Sequence, residues 1–343
     1  MAESMDVREG YFLETVEGLI FDVKGLIHPP DRVIAYLRYF EEPSGGRVRC
    51  GRRYSKVYSL SDRDFILMMG YPHYIYYDHV FDDWMEGVPR HLIAKLYDPV
   101  EKVSTLSKGY DIDIVESQAL TLVNILHDLT GIPTDCIGIS GSILVDLHSF
   151  DSDIDVVVYG RRNCFTIHDM LKNLLNSGEG MFSPYCLDDL RRLYDFRSRD
   201  TWMSFDDFCR IEARKVHQGK FLGRDFFVRF IPDRHEVGES YGDRLYKRIG
   251  YARIKARVDD DSDSIFTPCK YIVSNVEFLY GVDYAKPLEE VVSFRGRFCE
   301  QARRGEIVVA EGKVEKVVDS SGYEYYRLVV GSRPSDFIIS STI

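Results

Sequence analysis

Two aspartates one residue apart, Asp153 and Asp155, flank Ile154 at the head of a β-branched run through Val156, Val157 and Val158 that stops at Gly160. A short apolar run of this kind predicts a buried strand. Side chains alternate along a strand, so both carboxylates take one face and Ile154 the other. Two carboxylates on one face repel each other unless a cation lies between them. Ligands that are all oxygen suit Mg2+ or Mn2+. Upstream, separated by ten residues, stands a Gly-Ser pair, Gly141-Ser142. A turn there offers bare backbone N–H groups and a hydroxyl to a phosphate chain. Together these residues describe a site for a metal-bound nucleoside triphosphate, ATP or another.

The elements around this stretch must hold it in place. Residues 114–129 carry Val115, Ala119, Leu122, Val123, Leu126 and Leu129 at helical spacing, the best amphipathic pattern in the chain. Gly131 and Pro133 end that helix. Residues 136–139 then form a strand leading into Gly141-Ser142. Past Gly160, residues 165–175 form a second amphipathic helix. Arg161 opens this segment and is expected to meet phosphate, unless it merely decorates a helix start.

Gly141-Ser142, the ten-residue spacing, Ser152, and Asp153-Ile154-Asp155-Val156 resemble the signature of the DNA polymerase beta-like nucleotidyltransferase superfamily. The competing reading is a glycine turn followed by a strand whose acids face solvent. The resemblance implies a nucleotidyltransferase-like mixed sheet with flanking helices. It also implies that Asp153 and Asp155 hold divalent metal while Gly141 and Ser142 cradle the nucleotide's phosphates. Superfamily members usually add a third acid from a later strand, here within residues 225–231. In related transfer-RNA-tailing enzymes that acid stands three residues before a proline. Arg229 occupies this place, ahead of Pro232. Asp225 and Arg229 share a face but lie about 13 Å apart along a strand, so both cannot reach one metal pair. The expectation adopted is Asp225 as third catalytic and metal ligand, with Arg229 on a phosphate. In the alternative, Arg229 faces the two acids and impairs metal catalysis.

The net charge of -11 argues against non-specific nucleic-acid binding by the whole chain, though not against a local basic patch. No apolar run approaches a membrane span, and residues 1–10 carry no apolar core of a secretory signal. Seven scattered cysteines show no Cys-x-x-Cys spacing. They predict neither zinc nor a disulfide framework, and a reducing cytoplasm is expected.

The chain is long enough for three segments. Residues 1–110 are expected to form a small antiparallel α+β region, with strands near 17–24, 32–40 and 47–58 and helices at 60–67 and 88–96. In it, His28-Pro29-Pro30-Asp31 makes a stiff turn, and His28 and Lys24 either meet substrate phosphate or serve the turn alone. A tyrosine-rich run at 71–77 either stacks bases or packs as a seam. Residues 111–244 are the nucleotidyltransferase-like core, with further helices at 187–194 and 204–215 and a strand over 220–231. Residues 245–343 are expected to be all-β, a small barrel or sandwich. An OB-like barrel would suit nucleic acid, and basic rows at Arg253, Lys255 and Arg257 and at Arg295 and Arg297 agree with one. The fold class is therefore α+β.

The chain as a whole also resembles an uncharacterised, largely archaeal group of predicted nucleotidyltransferases, through segments 20–31 and 294–298. The expected function is a metal-dependent nucleotidyltransferase that moves a nucleoside monophosphate onto an RNA, protein or small-molecule hydroxyl. The alternative is a catalytically weak or inactive relative that binds nucleotide or RNA.

Overall fold

Helix α3 (Ile114–Thr130) shows how local sequence sets the elements. Asp113 caps its first turn, accepting from the Val115 and Glu116 N–H groups, and Glu116 reaches back to the Asp113 N–H. Gly131 closes it in the left-handed conformation. Val115, Ala119, Leu122, Val123 and Leu126 are the buried stripe. The computed structural model describes residues 7–109, 111–178, 180–282 and 287–341; residues 1–6, where no secretory signal is expected, lie outside them. The protein is α+β, and it divides into two units.

The first unit draws on residues up to Tyr77, on Trp84–Ser183 and on Gln218–Gly238. Its N-terminal sheet is antiparallel. Its strands are β1 (Phe12–Thr15), β2 (Ile20–Val23), β3 (Arg32–Glu41), β4 (Arg47–Arg49), β5 (Arg52–Lys56), β6 (Ile75–Asp78), β7 (Asp83–Pro89) and β8 (Ile93–Tyr97). The main path runs β4-β5-β3-β2-β1-β8, with β7 pairing β3 and β6. Helix α1 (Leu60–Gly70) lies between β5 and β6, and α2 (Pro99–Lys108) follows β8. The helix expected at 88–96 is instead the end of β7, a short turn, and β8. Pairing of β8 with β1, some eighty residues earlier in the chain, overrides the local pattern.

The second sheet of this unit has the order β11-β12-β13-β10-β9, from β9 (Ile137–Ile139), β10 (Ile154–Tyr159), β11 (Phe182–Ser183), β12 (Gln218–Phe221) and β13 (Arg224–Ile231). The single strand expected over 220–231 is a hairpin turned at Leu222-Gly223, both at positive φ. Strands β10 and β13 are parallel, and β9 is antiparallel to β10. Short α4 (Gly141–Leu144) joins β9 to the loop before β10, and α5 (Arg161–Ser177) follows it. Helices α3 and α5 cover one face. The opposite face meets the N-terminal sheet: Val157, Tyr159 and Ile231 share a core with Leu13, Phe21, Val33 and Leu37. The segments expected as separate N-terminal and core domains are thus joined through one hydrophobic core.

The second unit comprises Asp78–Asp83, Pro184–His217 and Glu239–Ile343. Its helices are α6 (Leu187–Arg197) and α7 (Phe205–Glu212); a four-residue α8 (Arg234–Val237) precedes its barrel in the chain. The barrel uses β14 (Arg244–Asp260), β15 (Cys269–Gly281), β16 (Leu288–Ser293), β17 (Ile307–Asp319), β18 (Glu324–Val329) and β19 (Phe337–Ser341). The order β14-β15-β16-β18-β17 closes through a β14–β17 pairing, and β19 adds to β17. Strands β16 and β18 are parallel. Ala252, Ile254, Ala256 and Val258 point inward, while Arg253, Lys255 and Arg257 are exposed. Arg295 and Arg297 do not form a second free row: both bind Asp200 within this unit.

Candidate functional site

Strand β10 begins immediately after Asp153. Asp155 is its second residue and lies on the face turned toward the N-terminal sheet, in the row of Val157 and Tyr159. Antiparallel pairing of β9 with β10 brings the end of β9, and so the Gly141 turn, back to the start of β10. The Ser140 N–H donates to the Asp155 carbonyl at 2.8 Å. Gly141 has φ +62, and a Cβ there would stand 1.9 Å from Asp155 Oδ2. Glycine is required at this position because the carboxylate occupies the space a side chain would need.

The Asp153 and Asp155 carboxylates make no hydrogen bond or ion pair among the described residues. Burial first, and then the Asp153 charge, pushes the Asp155 carboxyl up to about 6; Arg229, Lys56 and Arg38 act the other way. Ser142 is 3% exposed, and its Oγ has no hydrogen-bond partner among the described residues. Buried hydroxyls are normally satisfied, so this one, next to the glycine that Asp155 touches, is open to a partner from outside the described residues. These oxygens fit a hard divalent ion carrying phosphate.

Arg229 stands on the parallel neighbour β13, level with Val157. Its guanidinium does not bridge the two aspartates. It lies 2.9 Å from Glu9 and 3.5 Å from Asp22. Lys24 completes the group, 2.6 Å from Asp22 and 3.3 Å from Glu9. Burial works against the Arg229 charge, but Asp22, Glu9 and Asp155 outweigh it and hold the pKa up. Burial likewise opposes ionisation of Asp22, and Lys24 and Arg229 overcome it. Two acids and two cations thus form a neutral quartet behind Asp155.

Asp225 stands one residue before the first registered β10–β13 pair, with a side chain that is 52% exposed. Its carboxylate is 2.7 Å from Lys220 of β12, so its charge is engaged on the side of the sheet away from β10. Arg161 opens α5 at the far end of β10, about 20 Å of extended chain from Asp155. Its backbone N–H donates to Glu236. The structure therefore groups Gly141, Ser142, Asp153 and Asp155, places Arg229 behind them, and leaves Asp225 and Arg161 elsewhere.

Several residues here escaped sequence reasoning. Tyr39 of β3 packs with Leu144, Val145 and Leu147, just past the Gly-Ser turn. Burial first raises its hydroxyl pKa, and that hydroxyl senses Arg38, Asp155, Arg47 and Asp153. Arg47 Nη1 donates to Ser152 Oγ at 3.1 Å, beside Asp153. Asp22, an acid inside the apolar strand Ile20–Val23, was the one readable signal. His28 and Lys24 serve the fold: the Ile34 N–H donates to His28 Nδ1, and His28 Nε2 meets the Val7 carbonyl. Burial depresses the His28 pKa to about 4, so the ring is neutral at pH 7.

A second acidic group, Asp113, Glu116 and His148, has ligand atoms within 4.8 Å of one another. Asp113 and Glu116 already cap α3, and Lys102 binds Glu116 at 3.2 Å, so helix capping accounts for the cluster. All seven cysteines are free, and no helix among the described residues is long and apolar enough to cross a membrane.

No family model and no solved structure matches the chain. The uncharacterized protein MJ1086 of Methanocaldococcus jannaschii is 31% identical over 342 residues, covering 97% of this chain and 98% of its own length. The similarity runs through 97% of the chain, so it spans both units, and the chain belongs to the same protein family as MJ1086.

Proposed function

We propose that the first unit is a metal-dependent nucleotidyltransferase of the DNA polymerase beta-like kind, acting on a nucleoside triphosphate with Mg2+ or Mn2+. The observation that carries this reading is the contact of Gly141 with the Asp155 carboxylate beside an unpaired Asp153 and a bare, buried Ser142 Oγ. Asp153 and Asp155 would hold the metal, which would neutralise charge on the leaving pyrophosphate and lower the pKa of the acceptor hydroxyl. Gly141 leaves room for the carboxylate, and Ser142 donates to a phosphate oxygen. The sheet order β11-β12-β13-β10-β9, helix-covered on one face, supports the fold assignment.

The acceptor is proposed to be RNA. A closed five-stranded barrel with one parallel pair supports an OB-like reading, and it presents Arg253, Lys255 and Arg257 in one exposed row. Arg253 is partly neutralised by Glu311 at 2.6 Å, which leaves Lys255 and Arg257 as the principal contacts. A second reading, a nucleotide-binding module without transfer, is favoured by one observation. The two strand acids that could complete the pair are both engaged: Asp225 binds Lys220, and Asp22 binds Lys24 and Arg229.

Incubation with each α-labelled ribonucleoside triphosphate, Mn2+ or Mg2+, and cellular RNA decides between them. Label on RNA supports transfer; tight triphosphate binding without label supports the module. Ser142→Ala should weaken triphosphate binding by about 1–2 kcal/mol, the value of a hydrogen bond to a charged group. It should leave thermal stability unchanged, because the hydroxyl has no partner in the fold to lose. Calorimetry and a melting curve on one preparation check both halves.

A further inference from the structure

We infer that the N-terminal sheet supplies the phosphate-binding wall of this site, with Arg38, Arg47 and Lys56 gripping the β- and γ-phosphates of the metal-bound nucleotide. The inference rests on reading Asp153 and Asp155 as the metal-nucleotide site, and it assigns a role to a sheet that the Gly-Ser and Asp-x-Asp pattern does not include.

The corner of the sheet formed by β3, β4 and β5 is seated on the loop that joins Ser142 to Asp153. Tyr39 and Tyr54 share a buried cluster with Leu144, Val145 and Leu147. Arg49 Nη1 donates to the Val145 carbonyl at 3.4 Å, and Arg47 Nη1 donates to Ser152 Oγ at 3.1 Å. Arg38, Arg47 and Lys56 come from this corner, where Lys56 is registered against Tyr39 across the β3–β5 ladder. Residues registered across a ladder share a face, so Lys56 stands on the face of Tyr39, which packs on Leu144, Val145 and Leu147.

Ion-pair geometry separates these three cations from their neighbours. Arg49 is 2.7 Å from Glu14, and Arg229 and Lys24 are locked into the quartet with Glu9 and Asp22. Arg38, Arg47 and Lys56 form no ion pair with any carboxylate among the described residues. Arg38 donates to the Val57 carbonyl at 3.1 Å and lies over the Tyr58 ring, as does Lys56. Two acids at and just past the end of the loop that joins Ser142 to Asp153, and three cations on the sheet corner seated on that loop, thus make no ion pair among the described residues. A metal-bound triphosphate fits between them, with its cation on the aspartates and its anionic oxygens on the basic wall. Ser142 Oγ, buried and bare, adds a donor from the floor.

The test uses the full chain with ATP and Mg2+, then GTP, CTP and UTP, by calorimetry, with Mn2+ binding followed separately by electron spin resonance. Lys56→Gln is the primary variant, because the ammonium makes no hydrogen bond that the fold depends on. It should weaken binding of all four triphosphates by about tenfold or more, as expected for one lost charge-assisted contact. AMP affinity and Mn2+ affinity should stay within error, and Lys56→Arg should restore triphosphate binding. Arg47→Gln should show the same selective loss. Triphosphate affinity unchanged in both glutamine variants overturns the inference while leaving the metal site standing. A wild-type chain that binds neither Mn2+ at Asp153 and Asp155 nor any metal–triphosphate overturns the site reading and this inference together.

Discussion

Replacing Asp153 and Asp155 together by asparagine should abolish Mg2+- or Mn2+-dependent triphosphate binding and make the protein more stable at neutral pH. Asp155 lies against the Gly141 turn, and neither acid has an ion-pair partner among the described residues, so both are available as metal ligands. The stability gain follows from the sign of the Asp155 shift. Its folded-state pKa, about 6, lies above the ordinary 3.8 because of burial and the Asp153 charge. The folded chain therefore holds this proton more tightly than the unfolded chain does. Ionisation penalises the fold fully above pH 6, and the penalty is relieved as pH falls from 6 toward 4. The wild-type protein should gain stability over that window from this group, and the double variant should lack the gain. The amount is on the order of 1–3 kcal/mol, the low end applying because Asp155 retains some solvent contact. Melting curves at pH 7 and pH 5, with calorimetry of Mn2+–ATP, check both consequences. Unchanged metal–nucleotide affinity in the double variant removes the metal assignment.

The second large effect concerns the quartet. Glu9 is 1% exposed, accepts the Gly25 N–H at 2.5 Å and pairs with both Lys24 and Arg229. Glu9→Ala leaves two partly buried cations sharing Asp22 alone. Breaking a buried pair from one side costs about 3–5 kcal/mol, and denaturant titration should report a loss of that size. In molecules that still fold, Arg229 is released beside Asp155 and competes with metal for it, so Mn2+ affinity should fall as well. Glu9→Gln, which preserves shape but not charge, should show a smaller version of both effects. A loss below about 1 kcal/mol would mean that solvent already screens the quartet.

These two predictions rest on residues of very different legibility. The Gly-Ser turn and the aspartate pair are local patterns, with strand alternation and a glycine at positive φ, and a chain read alone displays both. Helix α3 is equally plain, because Asp113, the buried stripe and Gly131 mark its start, face and end. The α+β class follows from such segments. The quartet and the basic wall are different in kind. Glu9, Asp22 and Arg229 meet across more than 200 residues of chain, and Arg47 reaches Ser152 across 105. No local periodicity encodes such pairings. The same cause turned β8 from an expected helix into a strand, since its partner β1 is far away in sequence. The apolar strand interrupted by Asp22 was the exception, where an acid out of place announced a buried partner.

Strand β13 lies between β10 and β12, yet it is separated from β10 in the chain by residues 184–217, which belong to the second unit. A ribosome delivers the chain in order. The aspartate strand therefore emerges with one edge open and waits for its parallel neighbour until the excursion has been synthesised. Until then that edge presents unpaired backbone groups beside an apolar face, the kind of surface that recruits chaperones or stray strands. Substitutions that slow delivery of residues 218–231, synonymous codon changes included, should therefore lower the yield of folded protein without altering the finished molecule at all.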